Sequence, residues 1–316
     1  MRVTFLAVGN ISIDLIHTEA GFAERVAGSS FYAALAASRL GVRSGVLAKC
    51  GPEVVPERDL KPLLDAKVDL SGLIRSGSTS SYELFYRGED RTLRLRRVGD
   101  SITREDVERL GLTCEAALVS PIYREIPKET LLEIRRRCKL LAVDPQGYVR
   151  RRIRGGWIRF TRWNPSRGLE GAADIIVTSK PELPYLASGR GDEGKLKSLL
   201  DSGAKIAFMT REGGAEAALL AFDGRVFRIP VVPPERVVDP GGAGDVSAAA
   251  FVSEFMRTGD PVWSALFASS VASFIYEAFG AEGAPTRRMA IDRLRVFLMR
   301  SHPDLYREYR TRLEEG

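Results

Sequence analysis

Between residues 116 and 210, short apolar runs and helical patterns take turns, and this alternation constrains the fold more than any other feature. Runs at 116–119, 140–143, 174–177 and 205–210 read as strands, while helical spacing covers 128–138, a stretch after Pro181, and 193–200. Strands separated by helices form crossover units, which lie parallel in one sheet with helices on its faces. The chain opens in the same way, with a strand at 4–8, an extended piece at 11–17, a Gly-Ser break, a helix at 31–40 and a strand at 44–48. Its last third is helical over 243–257, 261–279 and 287–300, with a polar helix near 305–313. No linker, repeat or low-complexity stretch interrupts the 316 residues, so one α/β domain over 1–316 is expected, a doubly wound, mainly parallel sheet flanked by helices.

Residues 80–97 break the rhythm. Tyr82, Leu84 and Tyr86 share one face and Leu93 and Leu95 another, with Gly88-Glu89-Asp90 between them, which reads as a β-hairpin with one polar side. Together with residues 10–27 it would form a small β lid, built from two separated insertions, over the carboxyl ends of the strands where open α/β sheets bind ligands.

The composition, 44% hydrophobic with 28% charged, is that of a folded globular chain and excludes disorder, collagen and coiled coil. Cys50, Cys114 and Cys138 show no CxxC spacing, His17 and His302 are the only histidines, and the stretch 263–281 carries four serines and Glu277. Zinc and disulfide frameworks, histidine chemistry and a membrane span are all disfavoured, and a cytoplasmic location is expected. The net charge of +6 rests on 38 Arg and 9 Lys. It admits a polyanionic partner without choosing one.

The most informative run is Asp239-Pro240-Gly241-Gly242-Ala243-Gly244-Asp245, where small residues meet the start of a helix. Backbone N–H groups of Gly242, Ala243 and Gly244 can converge there on an anion, with the helix dipole reinforcing the pull. Asp245 beside that anion either accepts a proton from an attacking hydroxyl or merely caps the helix. No Walker A sequence occurs, and no G-x-G-x-x-G follows the first strand.

This run resembles the D-T-x-G-A-G-D signature of the ribokinase-like (PfkB) carbohydrate kinases, with Pro240 in place of Thr. Gly9-Asn10 with Asp14 is similar to the family's G-N-x-x-x-D opening, and Ala27-Gly28-Ser29-Ser30 to its Gly-Gly stretch, with Ala27 at the first Gly and Tyr32 where Asn is frequent. Ser179-Lys180-Pro181-Glu182 aligns with N-x-x-E and Thr210-Arg211-Glu212-Gly213-Gly214 with T-x-G-x-x-G. The resemblance implies transfer of the γ-phosphoryl of ATP to a hydroxyl, with Asp245 as general base and Gly242, Ala243 and Gly244 as anion hole. It places Asp14, Gly28 and Ser29 at the acceptor, Ser179, Thr210 and Gly213 with Gly242 and Gly244 at the nucleotide, Mg2+ at Glu182, and a monovalent cation near Asp239. The small residues at 248–250 and 264–273 either leave room for an adenine or let helices pack closely.

Asp144-Pro145-Gln146-Gly147-Tyr148-Val149-Arg150 and Ser120-Pro121-Ile122-Tyr123-Arg124-Glu125-Ile126 look similar to the inositol-kinase-like branch. That similarity implies a sugar or cyclic polyol bound by Gln146 and Arg150, with a nucleoside as the alternative acceptor. Arg150, Arg151, Arg152, Arg154, Arg159 and Arg162, with Trp157 and Trp163, form a basic strip. It supports a competing class, a nucleic-acid binder using charge and stacking, which no RNA-binding module accompanies. A homodimer through an exposed lid face completes the expectations.

Overall fold

The computed structural model describes residues 1–18, 21–87, 90–210 and 217–315. Its strands are β1 (Arg2–Val8), β2 (Ser12–Thr18), β3 (Gly21–Ala27), β4 (Ser44–Cys50), β5 (Asp69–Arg75), β6 (Ser80–Arg87), β7 (Asp90–Arg97) and β8 (Thr113–Val119). They continue with β9 (Cys138–Val143), β10 (Arg150–Arg152), β11 (Ile158–Phe160), β12 (Ile175–Ser179), β13 (Ile206–Thr210), β14 (Ala218–Phe222) and β15 (Arg225–Ile229). Nine of them make one sheet in the order β15-β14-β13-β12-β9-β8-β1-β4-β5. From β13 to β5 every neighbouring pair is parallel, and β14 and β15 add an antiparallel edge.

Both faces of the sheet are covered, and its strands are accordingly apolar along their length rather than alternating. Phe5 and Ala7 of β1 pack into a core shared with the helices Ser29–Arg39, Ala243–Thr258, Pro261–Ile275 and Arg287–Ser301, while Leu6 and Val8 join the opposite core with Lys128–Arg137 and Gly191–Leu200. Local chemistry fixes the junction between the two helices nearest the glycine run. Gly259 ends the first at φ 66°, Asp260 caps the second by accepting from Trp263 N at 3.0 Å, and Pro261 occupies its first turn. Ala248, Ala249, Ala250, Ala265 and Ala268 are fully buried between these helices. Ser264 and Ser270 donate to the carbonyls of Asp260 (2.6 Å) and Ala290 (2.7 Å), so both hydroxyls are satisfied inside helix packing. These small residues let the helices pack closely.

A second sheet, in the order β3-β2-β6-β7, stands apart from the first. It joins the hairpin β2–β3 to the hairpin β6–β7 through a parallel β2–β6 pairing. The Gly-Ser break is Gly28-Ser29, where the helix Ser29–Arg39 starts, and the strand that precedes it, β3, adds to the expectation, because the charged Glu24 and Arg25 hide its alternation. The expectation of opposite faces for the β6–β7 hairpin is also corrected: Tyr82 pairs with Leu95 and Leu84 with Leu93, and directly opposed residues share a face. These side chains form a third apolar cluster with Ile16 and Ile122. The turn residues Gly88 and Glu89 lie outside the described residues.

Other boundaries shift. The helix expected over 261–279 ends at Ile275, and the terminal helix is two short ones, Pro303–Glu308 and Arg310–Glu315. The stretch after Pro181 is a single turn, Leu183–Leu186. No helix among the described residues is long and apolar enough to cross a membrane.

Candidate functional site

The carboxyl ends of β1, β8, β9, β12 and β13 point toward one rim, and the chemistry-bearing residues gather there. Gly28 starts the helix Ser29–Arg39 at φ 112°, and a Cβ on it would lie 2.4 Å from the Asn10 carbonyl, so only glycine allows the second sheet and this helix to meet so closely. Gly242 caps Ala243–Thr258 at φ 87°. A Cβ there would sit 2.7 Å from the Tyr32 ring. The unusual Tyr32 thus packs against the glycine run.

Between these two helix starts and the second sheet lies a small pocket of about 80 Å³, open on one side. Asp14, Gly28, Ser29, Gln146, Arg150, Gly242 and Asp245, all expected from sequence, line it together. Gln146 is the hub. Its Nε2 lies 2.9 Å from Ser29 Oγ, 3.1 Å from Asp245 Oδ1, 3.2 Å from Ser120 Oγ and 3.4 Å from Asp144 Oδ2. Its Oε1 accepts from Arg150 Nη2, whose Nη1 donates to the Ile122 carbonyl at 3.0 Å. Tyr82 donates its hydroxyl to the same carbonyl at 2.7 Å, and the Arg150 guanidinium lies 5.8 Å from its ring centre.

The loop that presents Ile122 is itself held by a buried carboxylate. Glu125 accepts from the N–H groups of Ile122 (2.8 Å), Tyr123 (2.7 Å) and Asn10 (3.1 Å). Nothing in the sequence marks Glu125 for this task, because one glutamate in a loop carries no periodic signal.

Electrostatics distinguish the pocket carboxylates. Burial pushes Asp14 up to about 6. The Ser12 hydroxyl and the charges of Arg25 and Arg150 oppose that rise, while Asp245 adds to it. Asp144 is pushed well above the carboxylate range, first by burial and then by the charges of Glu182 and Asp245. Four buried polar atoms around the pocket, Asp14 Oδ1, Arg25 Nε, Tyr32 OH and Arg150 Nε, have no partner in the protein. Groups left so in a concave site are where a polar ligand recovers the cost of their burial.

At the glycine run, the helix begins at Ala243, so its first N–H groups lack carbonyl partners within the helix. Ala243 N turns back to the Pro240 carbonyl at 3.3 Å, and Val246 N donates to the Gly242 carbonyl at 2.9 Å to close the first turn. Ser179 and Thr210 stand side by side as paired residues at the ends of β12 and β13. Gly213 and its neighbours Arg211, Glu212 and Gly214 lie outside the described residues. Glu182 is buried and accepts from Ser179 Oγ (2.7 Å) and N (3.2 Å). Among the described residues no group of three His, Cys, Asp or Glu could hold a metal ion. A carboxylate with water and ligand phosphates is nevertheless the donor set magnesium takes, and Glu182, close enough to raise Asp144, is compatible with it.

The surroundings of Asp239 differ from expectation. Its Oδ1 accepts from Gly241 N (2.9 Å), and its Oδ2 from Gly280 N (3.1 Å) and from the guanidinium of Arg25. The basic strip also separates. Arg150 is buried in the pocket, whereas Arg151, Arg152, Arg154 and Arg159 are exposed. Trp163 stacks on Tyr148 with ring centres 4.6 Å apart, so the two tryptophans do not make one stacking surface.

The family description "pfkB family carbohydrate kinase" matches residues 4–287. A cytidine kinase of Thermococcus kodakarensis is 24% identical over 265 residues, covering 80% of this chain and 88% of that protein. The fold superimposes on a pyrophosphate-dependent kinase of the ribokinase family, solved with a pyrophosphate analogue and myo-inositol, with TM-score 0.77 and 23% identity over 89% of this chain and 98% of that one. It also superimposes on Arabidopsis thaliana ribokinase, solved with ribose and ATP, with TM-score 0.71 and 17% identity over 93% and 99% of the two chains.

Proposed function

We propose that this chain, which belongs to the pfkB family of carbohydrate kinases, transfers the γ-phosphoryl of ATP to a hydroxyl of a sugar or cyclic polyol, myo-inositol-like in shape. The observation that carries the reading is the convergence of Asp14, Gln146, Arg150 and Asp245 on one pocket that opens onto a helix N-terminus.

Asp14 and Arg150 present an unpartnered acceptor and an unpartnered donor to that pocket, and neighbouring hydroxyls of a polyol satisfy both. Leu84, Leu93 and Tyr82 supply an apolar wall for the C–H face of a ring. Seating the acceptor this way brings one hydroxyl to Asp245. The Asp245 carboxylate takes the hydroxyl proton as the oxygen bonds to phosphorus and the bond to the departing ADP oxygen breaks. Gly242 and the N–H groups at the start of Ala243–Thr258 meet the charge on the transferring group, preorganised by the backbone rather than by flexible side chains. Ser179 and Thr210, at adjacent strand ends, flank the nucleotide phosphates, and Glu182 would hold Mg2+ or its waters. Bound magnesium supplies charge neutralisation on the phosphates. The second sheet acts as a lid that excludes water from the acceptor.

A nucleoside acceptor is the second reading, supported by the similarity to the cytidine kinase. The unpartnered Asp14 Oδ1 and Arg150 Nε, an acceptor and a donor suited to neighbouring hydroxyls, favour the polyol. Acceptor profiling decides between them. With magnesium and either ATP or pyrophosphate as donor, product formation is measured across myo-inositol, hexoses, ribose and nucleosides. Turnover of a cyclic polyol or sugar well above that of nucleosides is expected, and turnover confined to nucleosides overturns the preference.

A further inference from the structure

The resemblance places a monovalent cation near Asp239, and the residues present do not suit one. Asp239 is 4% exposed, and both its carboxylate oxygens already accept from the protein: Oδ1 from Gly241 N, Oδ2 from Gly280 N and Arg25. A metal ion binds lone pairs, and three of the roughly four that the carboxylate offers already accept from N–H groups. It would also meet a fixed positive charge, since the Arg25 guanidinium is packed so tightly on the glycine run that a Cβ on Gly241 would lie 2.1 Å from its Nη2.

Arg25 is built into this place. It comes from β3 of the second sheet, 214 residues away in sequence from Asp239, and its side chain is largely covered. The Phe279 ring centre lies 5.1 Å from the guanidinium carbon and that of Tyr32 lies 6.0 Å away. Tyr32 is the ring that packs on Gly242. The guanidinium therefore touches the glycine run directly, through Asp239, and through Tyr32.

We propose that the Arg25 guanidinium is the resident cation of the Asp239 site, holding residues 239–245 in their anion-binding shape without any added monovalent metal ion. Arg25 is a positioning residue in this scheme. It acts through Asp239, and it makes the shape of the glycine run depend on a lid strand, so that the second sheet and the phosphoryl site are assembled as one unit. The inference rests on the reading of the glycine run as a phosphoryl site.

The test compares the full-length wild type with Arg25→Ala, Arg25→Gln and Arg25→Lys, in tetramethylammonium chloride or potassium chloride at a fixed ionic strength of about 0.1 M. Two quantities are read: melting temperature without substrate, and turnover with the acceptor found by profiling. The wild type is expected to show the same melting temperature and turnover in both salts. Arg25→Ala and Arg25→Gln are expected to lose about tenfold or more in turnover without potassium. Potassium should then restore much of that activity and raise their melting temperatures by a few degrees, as a ligand bound only to the native state does. Arg25→Lys, which keeps the charge, is expected to remain indifferent to potassium. Potassium activation or stabilisation of the wild type overturns the proposal, as does an Arg25→Gln protein that is as active and as potassium-indifferent as the wild type. If Arg25→Ala does not fold, Arg25→Gln and the wild type still give the answer. If no acceptor is phosphorylated, the kinase reading fails on its own, while the melting temperatures still report on the cation site.

Discussion

Replacing Asp14 with asparagine separates what the acceptor site costs from what it does. Burial raises the Asp14 carboxyl from its ordinary 3.8 to about 6. The native state therefore holds a proton that the unfolded chain has already lost between those two values. Stability from this group is fully present below about pH 4 and is lost as pH rises through about 6. The shift of about two units corresponds to about 3 kcal/mol of destabilisation at neutral pH. Asparagine has nearly the same shape and does not ionise, so Asp14→Asn is expected to be more stable than the wild type by that amount. With an unfolding entropy of about 2.1 cal/mol/K per residue, 316 residues give about 0.7 kcal/mol per degree and a melting temperature higher by about 4–5 °C. Thermal unfolding of both proteins at about pH 7.5 and about pH 4 reads this directly, because the gap should nearly close in acid. Loss of a charged hydrogen-bond acceptor should at the same time raise the acceptor KM about tenfold or more. Equal melting temperatures at pH 7.5, or a gap that does not shrink on acidification, would refute the reasoning.

Gly242→Ala forces a side chain onto the Tyr32 ring in a left-handed conformation, costing about 1–2 kcal/mol in backbone strain alone. Turnover should fall more than stability, and Tyr32→Ala in the same chain should recover part of the loss in both assays. Gln146→Glu sets a second carboxylate beside Asp245 Oδ1, where the amide now lies at 3.1 Å. Like charges disfavour ionisation, so the acid limb of the pH–rate profile should move up by about one unit, whereas Gln146→Ala should lower kcat without that displacement.

Much of the architecture is written in local pattern. The crossover rhythm over 116–210 gives the parallel sheet because each buried strand is a short apolar run and each helix shows its period. The edge hairpin β14–β15 went unread even though Asp223-Gly224 is a strong turn signal, and both residues adopt positive φ (48° and 70°). Strand β5 has Gly72 in its middle and escaped for the opposite reason, a weak alternation. At the site, the motif residues are legible because their order and spacing along the chain repeat a known signature, which a lone capping Asp or turn glycine does not. Arg25 and Glu125 do not. Each is one charged residue whose role exists only once distant segments meet, Arg25 at Asp239 and Glu125 at the N–H groups of Asn10, Ile122 and Tyr123.

The central claim is that Asp245 takes the proton from an acceptor hydroxyl during phosphoryl transfer. Its most direct test is Asp245→Asn, assayed for acceptor-dependent formation of phosphorylated product with magnesium, alongside nucleotide binding by calorimetry. The amide preserves shape but cannot take the proton, so turnover should drop by about two to four orders of magnitude while nucleotide affinity is kept. Undiminished turnover in that variant would contradict the account.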